Sequence, residues 1–161
     1  MSEGSAKLKA TAGAGAAALL LVYVPAFEGV VLRGYRDPIG VVTACAGHTA
    51  TAVLGRPYTR EECQSLLVDD LAEHAEDTAE CVADSVWWGL TPYEKAAFIS
   101  FTYNVGSGAF CRSTMAQKLN ADDVAGACAE LSRWVYAGGR QLPGLVKRRA
   151  TERALCEGRL E

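Results

Sequence analysis

Glu28, Asp37 and Thr43 are the residues of this chain whose types and spacing could do chemistry together. Glu28 follows a long uncharged stretch, Asp37 sits in the turn Arg36-Asp37-Pro38-Ile39-Gly40, and Thr43 lies on the strand-like run behind it. Two carboxylates in unlike surroundings are what cleavage of a glycosidic bond needs, one kept protonated and one ionised. Apolar burial favours the protonated form of a carboxyl, which suits Glu28 after Phe27 to a proton donor. A polar turn with a neighbouring cation favours the ionised form, which suits Asp37 to a base or an electrostatic partner of an oxocarbenium ion. The hydroxyl of Thr43 could hold a water in the same space. Taken singly, Glu28 is better explained as a membrane-edge charge and Asp37 as an ordinary turn residue; only the spaced set carries the chemistry.

The elements that must position this set follow from periodicity and turn chemistry. Val30–Tyr35 and Val41–Ala46 read as strands of one antiparallel hairpin closed by the Pro/Gly turn, and strand-like runs appear only there. Thr59-x-x-Glu62 and Thr91-x-x-Glu94 are capping boxes, the first opening a helix to about Cys81, the second a helix to about Gly106 with Pro92 at its first position. Further helices are expected over Ser113–Leu119, Asp122–Arg133 and from Pro143 to about Gly158. Helices segregated from one small sheet make an α+β domain, with a cleft between hairpin lobe and helical lobe suited to an extended sugar chain.

Four other residues are candidates for substrate contact. Asn104 and Gly106 end a helix in a Gly-rich polar loop, although glycines there also serve simply as helix stops. His48 is a candidate, with local packing and hydrogen bonding the favoured alternative. Arg148, beside Arg149, is a possible substrate-contacting cation, the plainer reading being a solvated face. In the pair Trp87-Trp88 one ring should pack inward, since adjacent helical residues face apart. No Ser or Cys stands in a nucleophile-elbow pattern, so a triad has little support.

At 161 residues, half of them hydrophobic and 22% charged, the chain suits one ordered domain. The net charge of −3 and the lack of a Lys/Arg cluster with aromatics speak against nucleic acid. Six cysteines without CxxC or zinc spacing point to three disulfides in an oxidising compartment rather than a metal site. Spacing does not fix their connectivity; the preferred pairing joins neighbours, Cys45–Cys63, Cys81–Cys111 and Cys128–Cys156. No cofactor is called for. Ala10 to Phe27 is an uncharged run of eighteen residues after Lys7 and Lys9, at the lower edge of the roughly 20 needed to span a bilayer. An uncleaved anchor with the body outside is preferred; a cleaved signal or a buried first helix are the alternatives.

The spacing Glu28-x8-Asp37-x5-Thr43 resembles the active-site segment of phage lysozymes. The resemblance extends through Gly47-His48-Thr49, Tyr103-Asn104-Val105-Gly106, Arg133-Trp134, Gly138-Gly139 and Leu145-Val146-Lys147-Arg148-Arg149 with Glu152-Arg153. It looks like that of lambdoid-phage endolysins carrying a signal-anchor-release segment. That resemblance implies a lysozyme-like fold, an anchor over 1–27 and a catalytic domain over 28–161. It also implies a muramidase cutting the β-1,4 bond between N-acetylmuramic acid and N-acetylglucosamine, with Glu28 as acid, Asp37 on water, Thr43 assisting, and inversion at the anomeric carbon. The expected partners are peptidoglycan and, through residues 10–27, the host inner membrane before release into the periplasm. The chain is expected to be monomeric, inactive while tethered and activated by refolding on release. A lytic transglycosylase, a non-catalytic peptidoglycan-binding module and a hole-forming membrane protein are the competing classes.

Overall fold

The computed structural model describes residues 1–160. The uncharged N-terminal run does not continue as one helix. It divides into α1 (Glu3–Ala12) and α2 (Ala14–Glu28), hinged at Gly13, whose backbone takes φ 88°, ψ 157°. Only glycine enters that region readily, so this residue permits the bend of 111° between the two helices. Leu8, Ala12, Ala16, Ala17, Leu20 and Val24 turn inward into the main core. The boundary between residues 27 and 28 therefore falls inside α2, and the first 28 residues belong to the same packed body as the rest. The indole Nε1 of Trp87 donates to the Thr11 carbonyl at 2.9 Å and secures α1. Trp88 is 61% exposed, so the two adjacent rings do face apart.

The hairpin is β1 (Val31–Arg36) and β2 (Val42–Cys45), antiparallel with Tyr35 opposite Thr43 and a register irregularity between Val31 and Tyr35. Helix α3 (Arg60–Glu80) and helix α5 (Pro92–Val105) both start in complete capping boxes, since Thr59 with Glu62 and Thr91 with Glu94 satisfy each other's amides. Between them lies the one-turn α4 (Asp84–Trp87). Helix α5 is the centre of the molecule, fully buried at Ala96 to Ile99 and at Phe101, with α2 and α9 (Pro143–Cys156) packed on it. The short helices α6 (Ser107–Cys111), α7 (Thr114–Asn120) and α8 (Val124–Glu130) connect them.

Two expectations need correction. The helix expected from Asp122 starts at Val124, because Asp122 adopts φ 61° and Asp123 caps the helix by accepting from the Gly126 amide. A second hairpin, β3 (Tyr136–Ala137) with β4 (Arg140–Gln141), stands where no strand was expected. Gly138 and Gly139, at φ 57° and 75°, supply the two-residue turn that right-twisted strands favour.

The cysteines pair as expected, Cys45–Cys63, Cys81–Cys111 and Cys128–Cys156. The first joins the hairpin to α3, and the last closes α8 onto α9. The architecture is α+β, a helical lobe with a small hairpin lobe against it.

Candidate active site

Glu28 is the last residue of α2, released from the helix by Gly29 at φ 71°. Its side chain is 24% exposed, less enclosed in apolar surroundings than the sequence suggests. What fixes it is Arg148, one face of whose guanidinium lies 4.8 Å from the Phe27 ring centroid. Arg148 divides its donors among three acceptors: Glu28 Oε1 at 2.5 Å, Glu152 Oε1 at 3.1 Å and the Ser100 carbonyl at 3.2 Å. The Ser100 hydroxyl donates to the same Glu152 oxygen at 2.7 Å. Arg149 bonds Glu152 Oε2, Asn104 Oδ1 and the Trp134 carbonyl, with its guanidinium over Phe101. Arg148 and Arg149 are thus not wall-contacting surface cations. They are 6% and 1% exposed, because α9 turns this face onto α5, where Glu152 is completely buried to receive them. A buried charge needs such a partner, and this network supplies one for each.

On its other side Glu28 meets the hairpin lobe. A Cβ added to Gly47 would lie 3.5 Å from Glu28 Oε2 and 3.9 Å from the Tyr103 hydroxyl, so the turn after β2 passes directly over the carboxyl. The hydroxyl of Tyr103 donates to the Ala46 carbonyl at 2.6 Å. Burial, reinforced by the negative charges of Asp70 and Glu28, holds that phenol well above its ordinary range, so it remains a donor at any physiological pH.

Asp37 is held by its own turn. Its Oδ1 accepts from the amides of Ile39 and Val41 at 3.0 and 2.8 Å. The expected cationic neighbour does not pair with it, for Arg36 donates to the Gly40 carbonyl instead. Thr43, 5% exposed, gives its hydroxyl hydrogen to the Val41 carbonyl at 3.1 Å. The Val41 peptide thereby links Asp37 and Thr43, and leaves the Thr43 oxygen able to accept from a water.

A groove of about 580 Å³ opens beside the acid, lined by Phe27, Glu28, Asn104, Leu145, Lys147 and Arg148 among others. It brings together Glu28 and two of the four candidate contact residues, Asn104 and Arg148. Gly106 serves the helix end: its amide donates to Thr102 and its carbonyl accepts from Phe110. His48 is 5% exposed and bonded at both ring nitrogens, Nδ1 to Asp70 at 2.8 Å and Nε2 to the Thr51 hydroxyl at 2.7 Å, the local role favoured for it. Glu152 and Tyr103 stand in the sequence reading only within matched segments, without a role, and Asp70 was not singled out at all. The spacings Arg148-x3-Glu152 and Arg149-x2-Glu152, neighbours on a helix surface, are the signal that could have marked Glu152.

A helical lobe that ends one acid against a small hairpin carrying a second is the lysozyme architecture. The profile of the phage lysozyme family matches residues 25–152, and the chain belongs to that family. It is 42% identical over 130 residues to the SAR-endolysin of Bacteriophage PS119, covering 80% of this chain and 75% of that one. To the SAR-endolysin of Enterobacteria phage P21 it is 41% identical over 149 residues, covering 89% and 88%. Among solved structures, the muramidase domain of SpmX from Asticaccaulis excentricus superposes with a TM-score of 0.77 at 28% identity, over 86% of this chain and 94% of that one. The chain is therefore a phage-type lysozyme resembling SAR endolysins, and a glycoside hydrolase by family.

Proposed function

We propose that this chain is an endolysin muramidase that hydrolyses the β-1,4 bond between N-acetylmuramic acid and N-acetylglucosamine with inversion. The observation that carries this is Glu28, clamped by Arg148 at one oxygen while the other faces the hairpin turn beside an open groove. Glu28 delivers its proton to the glycosidic oxygen as the bond to the anomeric carbon breaks. A water donates one hydrogen to the Thr43 oxygen and the other to Asp37, which takes that proton as the water oxygen bonds to the anomeric carbon. Inversion requires room for that water, with carboxyls about 6.5–9.5 Å apart rather than about 5–5.5 Å. Asn104 meets substrate from the wall of the groove.

The acidic balance of the chain is compatible with an anionic wall. Helix α3 carries eight of the nineteen acids, while the groove beside Glu28 has Lys147 and Arg148 as its other charged lining residues. The muramidase name of the SpmX domain supports the same bond specificity. Mass analysis of digested sacculi tests it: reducing N-acetylmuramic acid ends are expected, and anhydro ends would replace hydrolysis by transglycosylation.

The N-terminal helices support a tether. No single helix among the described residues is long and apolar enough to cross a membrane, but α1 and α2 taken together pass by length and composition. In the inner membrane the segment straightens at Gly13, with Lys7 and Lys9 on the cytoplasmic side and the body in the periplasm. Glu28 then lies at the bilayer edge, away from α5 and Arg148. Release lets α1 and α2 bend onto α3 and α5 and sets Glu28 in place. Removal of residues 1–27 should abolish activity in soluble protein, and full activity of that truncation would sink the refolding step.

A further inference from the structure

The hairpin lobe is tied to the helical lobe by four specific side-chain links. Three of them, the Cys45–Cys63 disulfide, the His48–Asp70 pair and the Arg56–Glu62 salt bridge, run to α3. The fourth is the Tyr103 hydroxyl on the Ala46 carbonyl, and among the described residues it is the one side-chain hydrogen bond from the hairpin segment to α5. This difference matters because α5, not α3, is the helix on which α2 and α9 chiefly pack, and these carry Glu28 and Arg148. The links to α3 hold the hairpin on the molecule. The link to α5 sets its distance from the acid.

We infer that Tyr103 is a positioning residue for Glu28: its hydroxyl, given to the Ala46 carbonyl, holds the Ala46–Gly47 turn against Oε2 of Glu28. The neighbouring backbone is built for that approach. Gly47, at φ 83°, puts no side chain between turn and carboxyl, and Cys45, two residues before it, takes the unusual φ of 57°. Ala44 and His48 close the turn with reciprocal amide bonds of 2.9 and 2.8 Å. The Tyr103 ring is itself seated by His74, centroids 5.0 Å apart, so the hydroxyl has little freedom to follow a moving turn. Because Asp37 and Thr43 ride on the same hairpin, a turn that drifts from Glu28 carries the water-holding pair with it.

This inference rests on the muramidase reading, and its test separates the two. Tyr103→Phe in the full chain keeps the ring against His74 and removes only the bond to Ala46. At a temperature where circular dichroism shows both proteins folded, kcat on purified sacculi should fall about tenfold or more with KM within about twofold. In the same variant the Ala44 and His48 amides should exchange faster with solvent. An unchanged kcat in folded variant, or a loss that merely follows the unfolded fraction, overturns the positioning role. If the wild-type chain cuts no glycan, the muramidase reading fails instead. Amide exchange then still decides the tie, with unchanged rates at Ala44 and His48 overturning it.

Discussion

Replacing Glu152 with leucine probes the network that holds the acid, and its cost can be worked from the contacts. Glu152 is fully buried and accepts from Arg148, Arg149 and the Ser100 hydroxyl. In Glu152→Leu both guanidiniums stay buried. Arg148 keeps one carboxylate, that of Glu28, and the Ser100 carbonyl, whereas Arg149 keeps only the neutral oxygens of Asn104 and Trp134. One buried cation is thus left without a counter-charge, which costs about 3–5 kcal/mol. For a domain of this size that lowers the melting temperature by roughly 6–20 °C, at about 2–4 °C per kcal/mol. Glu152→Gln retains a neutral acceptor and should fall between, losing about 1.5–3 kcal/mol for a charged hydrogen bond. Thermal and urea unfolding of oxidised protein, followed by circular dichroism, gives both values. A loss below about 1 kcal/mol in the leucine variant would refute the view that this carboxylate is the counter-charge of the buried Arg149.

Two further outcomes follow from other parts of the molecule. Lys118, bonded at 2.9 Å, and Arg133 hold the Glu130 carboxyl below the usual carboxylate range, so its contribution is present above about pH 4.3 and is lost as pH falls through the lower folded value. With both cations partly exposed, the stability difference between wild type and Glu130→Gln should be under about 1 kcal/mol at pH 7 and vanish by about pH 2 in urea titrations; a difference persisting in acid would contradict this. Gly13→Ala strains the bent form by about 1–3 kcal/mol and favours a straight helix by about 1 kcal/mol, so the variant should remain in the membrane pellet when wild type has become soluble. Equal release of the two would argue against straightening at Gly13.

What could be read in the sequence is what local chemistry decides. The two capping boxes, the Pro/Gly turn at Asp37 and the opposed fates of Trp87 and Trp88 each depend on residues within a turn of one another, and all appear in the structure. The Gly13 break was hidden because the alanine-rich sequence on both sides is uniform, and only the φ adopted by the glycine distinguishes a bend from a continuous span. The hairpin at Gly138-Gly139 has strands of two residues, too short for alternation to show. The part of the arginine network that includes Glu28 was out of reach for another reason. Arg148 and Glu28 lie 120 positions apart, and nothing near either residue distinguishes a solvated cation from one buried against an acid. The same holds for the Tyr103 hydroxyl, whose acceptor is a backbone carbonyl 57 residues away.

The central claim, that Glu28 is the proton donor, is tested most directly by Glu28→Gln. Its amide oxygen can still accept from Arg148, so fold and groove are retained while the transferable proton is lost. Hydrolysis of purified sacculi should fall by about 10²–10⁴-fold, with melting temperature near that of wild type. Activity within about tenfold of wild type in that folded variant would place the acid elsewhere.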